Sequence, residues 1–309
     1  MKQQLKHLIK YMEPAINNVT LKVLNNEYRA KQVPVKTLSS NKVLVFVPHV
    51  DDETIGLGGT IKKYTSLGAE VKVVLVTDGS KSVSSLPGEE LSSQRRSEME
   101  KVQHMLGFDS IEYLTLPDGN VEISESNIEK VLNIVKDFQP DVIYTNVLVD
   151  AHLDHVNTSL LLAESLKKLN LQDSLKIYMY EINCPIPVAY INTLIDITEE
   201  LPLKQETINV FASQAIDFDG FINLNIVKSN LSADRSIGAG EVFLGQEAGD
   251  FINFAEYIKN KKENFPELFK QANKTVTLLW AYFQNKKAKE KLYKEGISYA
   301  SIQAQLKDK

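Results

Sequence analysis

The sequence predicts an α/β fold in which a mostly parallel sheet is flanked by helices, with a C-terminal helical extension. Two observations predict it. β-Branched apolar runs alternate with helical segments between residues 43 and 182, and the pattern becomes wholly helical after about residue 250. Strands that alternate with helices of this length form βαβ units with right-handed crossovers. We therefore expect a Rossmann-like sheet in a central domain (41–250), preceded by a helix and linker (1–40) and followed by the C-terminal extension (251–309).

The individual elements follow one another in a regular order. Residues 1–40 predict an amphipathic helix and a polar linker. The strand segments are apolar and bounded by turn residues: "VLVFV" (43–47), "VKVVLVTDG" (71–79), "IEYLTLPDG" (111–119), "DVIYTNVL" (141–148) and "LKIYMYEI" (175–182), which we expect to close the series. Between them lie helical segments, with Gly68 and Gly107 predicted to end two helices and Ser124 to cap a third.

Composition limits the classes of protein to consider. The 309 residues are 43% hydrophobic and 24% charged, which is typical of a soluble globular protein. The net charge is -5 and the lysines are scattered among acids, which argues against a nucleic-acid binder. The N-terminal "MKQQLKHLIKYMEPAINNV" lacks the apolar core of a secretory signal, and the apolar run "VTLLWAYF" is far shorter than the about 20 residues of a membrane span. The expected location is the cytoplasm.

Two charged clusters follow predicted strands, namely "PHVDDE" (48–53) and "DAHLDH" (150–155). Ligands of open α/β sheets bind beyond the carboxyl ends of the strands, so strands adjacent in the sheet would bring the clusters together. Cys184 is the only cysteine, and a metal site must therefore use His, Asp and Glu. Two imidazoles and a carboxylate suit a catalytic zinc with one position open for water, and a further carboxylate is then needed as general base. The doubled Asp51-Asp52 offers both carboxylates.

Some of these residues have other interpretations. The histidines of the second cluster could be hydrogen-bonded structural residues, and His7 and His104 lie on predicted helices and receive no function. Glu53 is expected to fix its loop by hydrogen bonds. A dinucleotide fingerprint beginning at Gly56 would need glycine at position 61, where Ile61 stands, so the "GLGGT" glycines are interpreted as letting the start of the helix approach the site closely.

The two clusters resemble the LmbE-like family of zinc-dependent de-N-acetylases, which includes the N-acetylglucosaminyl-phosphatidylinositol deacetylase (PIG-L). The family motif is P-H-P-D-D-E, and this chain departs from it at Val50. The resemblance covers roughly residues 41–245, through "HLDH" (152–155) and weaker landmarks: "TDG" (77–79), an R-x-x-E spacing at Arg95 and Glu98, "LPDG" (116–119), "ASQ" (212–214) and "GEVF" (240–243).

The resemblance implies a role for individual residues. It makes His49, Asp52 and His155 the metal ligands and Asp51 the general base toward the attacking water. His152 would stabilise the oxyanion and help to protonate the leaving amine. Arg95 and Asp118 match positions that contact the substrate sugar, and their alternatives are a helix-surface ion pair of Arg95 with Glu98 and an ordinary turn acid. Asp150 lies where some relatives carry a tyrosine near the oxyanion.

The predicted function is a hydrolase that binds one zinc ion and removes acetyl from an N-acetylated amino sugar of the N-acetylglucosaminide type. Other divalent ions suit the same ligands. One alternative is a metal-dependent phosphoesterase, which usually holds two metals and more carboxylates. Another is a non-catalytic carbohydrate-binding protein on the same fold, which a missing essential residue would favour; none is missing. For the C-terminal extension, the preferred interpretation is a packed helix with a solvated lysine face, which could offer a contact to a second copy. The alternative is a peripheral contact with anionic lipid.

Overall fold

The computed structural model of the protein describes residues 2–81, 88–169, 175–211, 218–261 and 263–307. Within them, strands form one seven-stranded sheet in the order β3-β2-β1-β4-β5-β7-β6. The strands in chain order are β1 (Lys42–Val47), β2 (Glu70–Thr77), β3 (Ser110–Leu116), β4 (Val142–Asn146), β5 (Lys176–Tyr180), β6 (Thr193–Asp196) and β7 (Gly240–Glu247).

Helices flank this sheet. In chain order they are α1 (Lys2–Arg29), α2 (Asp52–Ser66), α3 (Gly88–Leu106), α4 (Glu125–Phe138), α5 (Leu153–Lys167), α6 (Leu201–Ile208), α7 (Asp219–Lys228), α8 (Ala248–Lys261), α9 (Phe265–Leu268), α10 (Thr275–Phe283) and α11 (Lys286–Lys307). The predicted α/β class is confirmed. Ser124 caps α4 by accepting a hydrogen bond from the Asn127 N–H (3.4 Å), and Gly68 and Gly107 adopt the positive φ angles expected just after a helix.

The sheet is parallel from β3 to β5 and antiparallel at one edge. β7 pairs antiparallel with β5, and β6 pairs antiparallel with β7. The expectation that residues 175–182 form the last strand is therefore wrong. β6 has only four residues, too few for a periodic signal, and β7 begins within the "GEVF" landmark, which drew no strand prediction.

The order of the strands reverses between β1 and β4. The two strands are adjacent and parallel, with Val43 opposite Val142 and Val45 opposite Tyr144. β4 is buried along its length and β1 from Val43 onward, as central strands covered on both faces must be. Because chain connections leave in opposite directions at such a switch point, a crevice opens beyond the carboxyl ends of the two strands. Both charged clusters follow these ends, as predicted.

Helix α2 follows β1 directly and lies unusually close to the sheet. A Cβ atom on Gly56 would stand 2.3 Å from the Tyr180 ring, and one on Gly59 would stand 2.6 Å from Ile197. These glycines thus permit close approach of the helix to the sheet, and close approach to the site stays a prediction. The helix is also broken at Leu57, whose φ of -151° is not helical.

The C-terminal extension packs against the rest of the chain. α8 contacts α5 and α11, and α1 contacts α7 and α10. Lys287 and Lys291 are exposed on α11, whereas Leu292 and Tyr293 are buried. The extension thus has the packed face and the solvated lysine face of the first interpretation. Among the described residues, no helix is both long and apolar enough to cross a bilayer. The "ASQ" landmark lies outside the described residues.

Cys184 should be inert in the folded protein. Its side chain is fully buried, and burial, reinforced by the nearby Asp150 carboxylate, raises the pKa of its thiol. Because the thiolate is the reactive form, we expect no reaction with a disulfide reagent at pH 8 until denaturant is added, when one thiol per chain should titrate. Rapid labelling of the native protein would contradict the burial of this segment.

Candidate metal and catalytic site

Three strand ends supply the candidate site. His49 follows β1, Asp118 follows β3, and the cluster at 150–155 follows β4 and begins α5. The end of β2 links those of β1 and β3: the Thr77 N–H and hydroxyl both donate to the Pro48 carbonyl (3.0 and 2.8 Å), and the Asp78 N–H donates to the Leu116 carbonyl (2.9 Å). The predicted site residues His49, Asp51, Asp52, Asp118, His152 and His155 therefore meet at one place, with Arg95 of α3 beside them.

The predicted ligand carboxylate lies between the two predicted ligand histidines. Asp52 Oδ2 is 3.3 Å from His49 Nδ1 and 3.4 Å from His155 Nε2. Ligands about 2.0–2.1 Å from a tetrahedral zinc stand about 3.3–3.4 Å from one another, so both distances suit a shared ion. Although burial alone would raise the pKa of Asp52, the two imidazoles lower it, which keeps the carboxylate ionised and ready to bind a cation.

A second group of residues that could hold a metal ion includes His152. Ligand atoms of His49, His152 and His155 all lie within 4.8 Å of one another, and the ring centroids are separated by 4.7 to 5.3 Å. The donors present thus fit one divalent ion held by His49 and His155, with Asp52 or His152 completing the set. Nitrogen donors with a carboxylate suit zinc, and also other first-row ions.

A buried aspartate stands behind His155. Asp150 Oδ1 is 3.3 Å from His155 Nδ1 and accepts hydrogen bonds from the His152 N–H (2.9 Å) and the Asn183 side-chain amide (3.0 Å). Its Oδ2 accepts from the backbone N–H groups of Asn183 and Cys184. A carboxylate on the far nitrogen of a ligating histidine fixes the ring and raises its basicity. This geometry gives Asp150 a role toward His155, whereas the sequence had suggested only a position near the oxyanion.

Asp154 likewise places a carboxylate beside the His49 nitrogen that faces away from Asp52. Its Oδ2 lies 3.3 Å from His49 Nε2 and accepts a hydrogen bond from the Gly119 N–H (2.7 Å), while Oδ1 accepts from the Val121 N–H (3.2 Å). Asp118 approaches the same nitrogen at 3.5 Å. His49, Asp118 and Asp154 could also hold a cation. Because the Asp154 oxygens already accept backbone hydrogen bonds, we favour one ion, with these acids orienting His49.

The predicted general base occupies a strained position. Asp51 has a φ of 119°, which L-residues rarely adopt, and such strain is concentrated at functional sites. Glu53 supports it, because a Glu53 oxygen accepts a hydrogen bond from the Asp51 N–H (3.2 Å), as expected of a loop-fixing residue. Burial, together with the Asp52 and Glu53 carboxylates, raises the pKa of Asp51 well above its usual range. A carboxylate with a raised pKa is a stronger base.

His152 is held as a neutral imidazole. The Asp154 N–H donates to His152 Nδ1 (3.2 Å), so the ring proton resides on Nε2. Burial and the neighbouring His155 and His49 lower the pKa of His152 to about 4. A neutral Nε2–H can donate a hydrogen bond to a developing oxyanion, which agrees with the predicted role.

Asp118 faces the site, whereas Arg95 lies behind it. Although burial alone would raise the pKa of Asp118, the hydrogen bond and charge of His49 lower it to about 2, so the residue is an ionised site acid. Arg95 is only 1% exposed; its guanidinium donates to the Gly79 carbonyl (3.3 Å) and lies 3.9 Å from Asp118. The alternative of a helix-surface ion pair is wrong for Arg95, since both it and Glu98 are buried. Contact of either residue with a sugar stays a prediction.

A buried ion pair holds α2 in place below the site. Glu241 of β7 accepts hydrogen bonds from the N–H groups of Gly59 and Thr60 (3.0 and 2.7 Å), which follow the break at Leu57. Lys204 of α6 donates to Glu241 (2.7 Å) and to the Ile55 carbonyl (2.8 Å). The glutamate thus serves as acceptor at the start of the second half of α2, where a negative charge is favourable.

Sequence reasoning did not assign Asp154, Lys204 or Glu241. For Asp154 a signal was present, since in D-x-H-x-D-H this acid lies two residues after His152 and directly before His155. Lys204 has no local signal and Glu241 stood only within the "GEVF" landmark, because the partners of both residues are distant in the chain.

The fold and the clustered ligands define an α/β protein with a metal-type site at the switch point of its sheet. Residues 44–166 match the PIG-L family, described as GlcNAc-PI de-N-acetylase. The relationship predicted from the motifs is confirmed over this segment, which carries all of the predicted site residues.

Two named relatives are similar in sequence. The diacetylchitobiose deacetylase of Thermococcus kodakarensis is 34% identical over 104 residues, which is 33% of this chain and 39% of the relative. The chain thus spans well under half the length of that curated relative. The structure of the N,N'-diacetylchitobiose deacetylase of Pyrococcus horikoshii is 27% identical, covers 76% of this chain and 93% of its own, and has a TM-score of 0.59.

A third likeness concerns the fold alone. The 4-carboxy-2-hydroxymuconate hydratase of Pseudomonas putida is 18% identical, covers 66% of this chain and 95% of its own, and has a TM-score of 0.58. The fold is therefore compatible with chemistry other than deacetylation, and function must be argued from the site.

Proposed function

We propose that the protein is a metal-dependent hydrolase that removes acetyl from an N-acetylated amino sugar, with zinc as the metal. The observation that carries the proposal is the arrangement of Asp52 between His49 and His155, with a second acid, Asp51, beside it. The similarity to two diacetylchitobiose deacetylases supports an N-acetylated sugar as the substrate class.

Each residue has one task in this reaction. A bound divalent ion would polarise the acetamide carbonyl and make water acidic enough to attack near neutral pH. Asp51 accepts the proton of the attacking water. His152 Nε2–H donates to the carbonyl oxygen as negative charge develops there, a contribution of about 3 kcal/mol where such donors have been removed. Proton return to the departing nitrogen then yields acetate and a free amine.

The proposal is tested by acetate release. Purified protein, stripped of metal and reloaded with zinc, should release acetate from at least one of a panel of N-acetylglucosamine conjugates, and a chelator should abolish the release. A phosphomonoester assayed in parallel tests the phosphoesterase alternative. Sugar binding without release would favour the non-catalytic alternative, and phosphate release without acetate would overturn the proposal.

Replacement of a predicted metal ligand should weaken zinc binding. Asp52→Asn should weaken zinc affinity by more than about 100-fold, since loss of even an outer residue commonly costs 10–100-fold. Zinc content after dialysis against a weak chelator measures the change. His104→Ala, at an exposed histidine of α3, is the matched control and should retain the metal. Full zinc content in Asp52→Asn would exclude this aspartate as a ligand.

A further inference from the structure

The C-terminal extension reaches the metal site through a buried segment, residues 181–186, which follows β5. The segment contributes three donors to Asp150: the backbone N–H groups of Asn183 and Cys184 and the Asn183 side-chain amide, at 3.0 to 3.2 Å. Asp150 in turn lies 3.3 Å from His155 Nδ1. The position of the segment therefore sets the position of the carboxylate that orients a proposed metal ligand.

The extension contacts this segment at two points. The Ala272 N–H donates to the Asn183 carbonyl (3.0 Å), and Lys289 Nζ donates to the Pro185 carbonyl (3.3 Å). The segment also closes on itself, because a Glu181 oxygen accepts a hydrogen bond from the Ile186 N–H (2.6 Å). Residues of the extension, far outside the matched range 44–166, thus contact the backbone that holds Asp150.

Lys289 is an unusual residue for such a contact. It is 2% exposed, although lysine is rarely buried without a charged partner close by. Its charge faces Cys184, Glu181 and Asp150, and burial lowers the pKa of its amine. A buried ammonium is costly unless its surroundings favour the charge, and here Nζ also lies 5.6 Å from the centroid of the Phe269 ring. Because Glu181 is already paired with Lys228 (2.7 Å), the site carboxylate that further favours a positive charge at Lys289 is Asp150.

We infer that Lys289 is a positioning residue for the metal site. It acts through Pro185 and the 181–186 segment on Asp150, and through Asp150 on His155. The inference rests on the proposed metal site and not on the identity of the substrate. It gives the C-terminal extension a part in metal binding, in addition to its packing.

The test measures metal binding by the full-length protein without any substrate. Lys289→Met keeps an unbranched side chain that is one atom shorter and removes the charge and the donors. We expect about tenfold weaker zinc affinity, at the lower end of outer-residue effects, and an altered visible spectrum of the cobalt-substituted protein. Lys287→Met, at an exposed lysine of the same helix, should leave both unchanged. The melting temperature of the metal-free proteins is recorded alongside.

A double-mutant cycle with Asp150→Asn tests whether Lys289 acts on His155 through Asp150. If Lys289 acts through Asp150, the two changes together should weaken zinc affinity by clearly less than the product of their separate effects. Fully multiplicative effects would overturn the path. Unchanged affinity and cobalt spectrum in Lys289→Met, with only a lower melting temperature, would reduce Lys289 to packing.

Two controls keep the outcome clear. If Lys289→Met does not fold, Lys289→Gln, which keeps an N–H donor but not the charge, is judged by the same two readouts. Wild-type protein that binds cobalt but releases no acetate would refute the deacetylase and leave this inference standing. Wild-type protein that binds no metal would overturn both.

Discussion

Replacing Asp51 with Asn should reduce acetate release by about 10²- to 10⁴-fold, the usual contribution of a positioned general base. The amide has the shape of the carboxylate but cannot accept the proton of the attacking water. Asp51 is 5% exposed and its pKa is raised by burial and by Asp52 and Glu53, which suits it to this task. Zinc content should stay at the wild-type level, because the predicted ligands are intact.

The decisive measurement is activity per bound zinc. Asp137→Asn, at an exposed acid of α4, is the control for removal of one negative charge and should behave as wild type. An Asp51→Asn protein that is fully loaded with zinc and nearly as active as wild type would show that another group accepts the proton. A protein that has lost its zinc would indicate that Asp51 contributes to metal binding.

Replacing Glu241 with Gln should destabilise the protein by about 3–5 kcal/mol, the range found when one partner of a buried ion pair is removed. The change leaves Lys204 fully buried and without its anionic partner. It also weakens the acceptor for the Gly59 and Thr60 N–H groups at the break in α2. Urea unfolding, followed by circular dichroism, measures the free energy of unfolding.

The same strand supplies the control. Glu247 of β7 pairs with Lys176 at the surface, so Glu247→Gln should change the free energy of unfolding by less than about 1 kcal/mol. The pair Lys204→Met and Glu241→Gln together should be less destabilised than the sum of the single changes, because no charge is left buried. Equal small effects at Glu241 and Glu247 would show that the buried pair is not important for stability.

Much of the fold was predictable because local signals were strong. Five apolar runs predicted β1 to β5, and glycine and serine marked helix ends at Gly68, Gly107 and Ser124. The last part of the sheet was not predictable in this way. β6 is short and β7 is an antiparallel strand, and their pairing depends on the edge that β5 presents.

The candidate site was also predictable only in part. Short spacing within "PHVDDE" and "HLDH", and the rule that ligands bind beyond strand ends, were enough to predict which residues cluster, because neighbours in sequence must be neighbours in space. Only the tertiary structure decided which carboxylate faces which imidazole nitrogen, that Arg95 is buried behind Asp118, and that Lys204 pairs with Glu241. Those contacts join residues tens to more than a hundred positions apart or depend on side-chain direction, and their strength comes from burial, which exists only once the chain has folded.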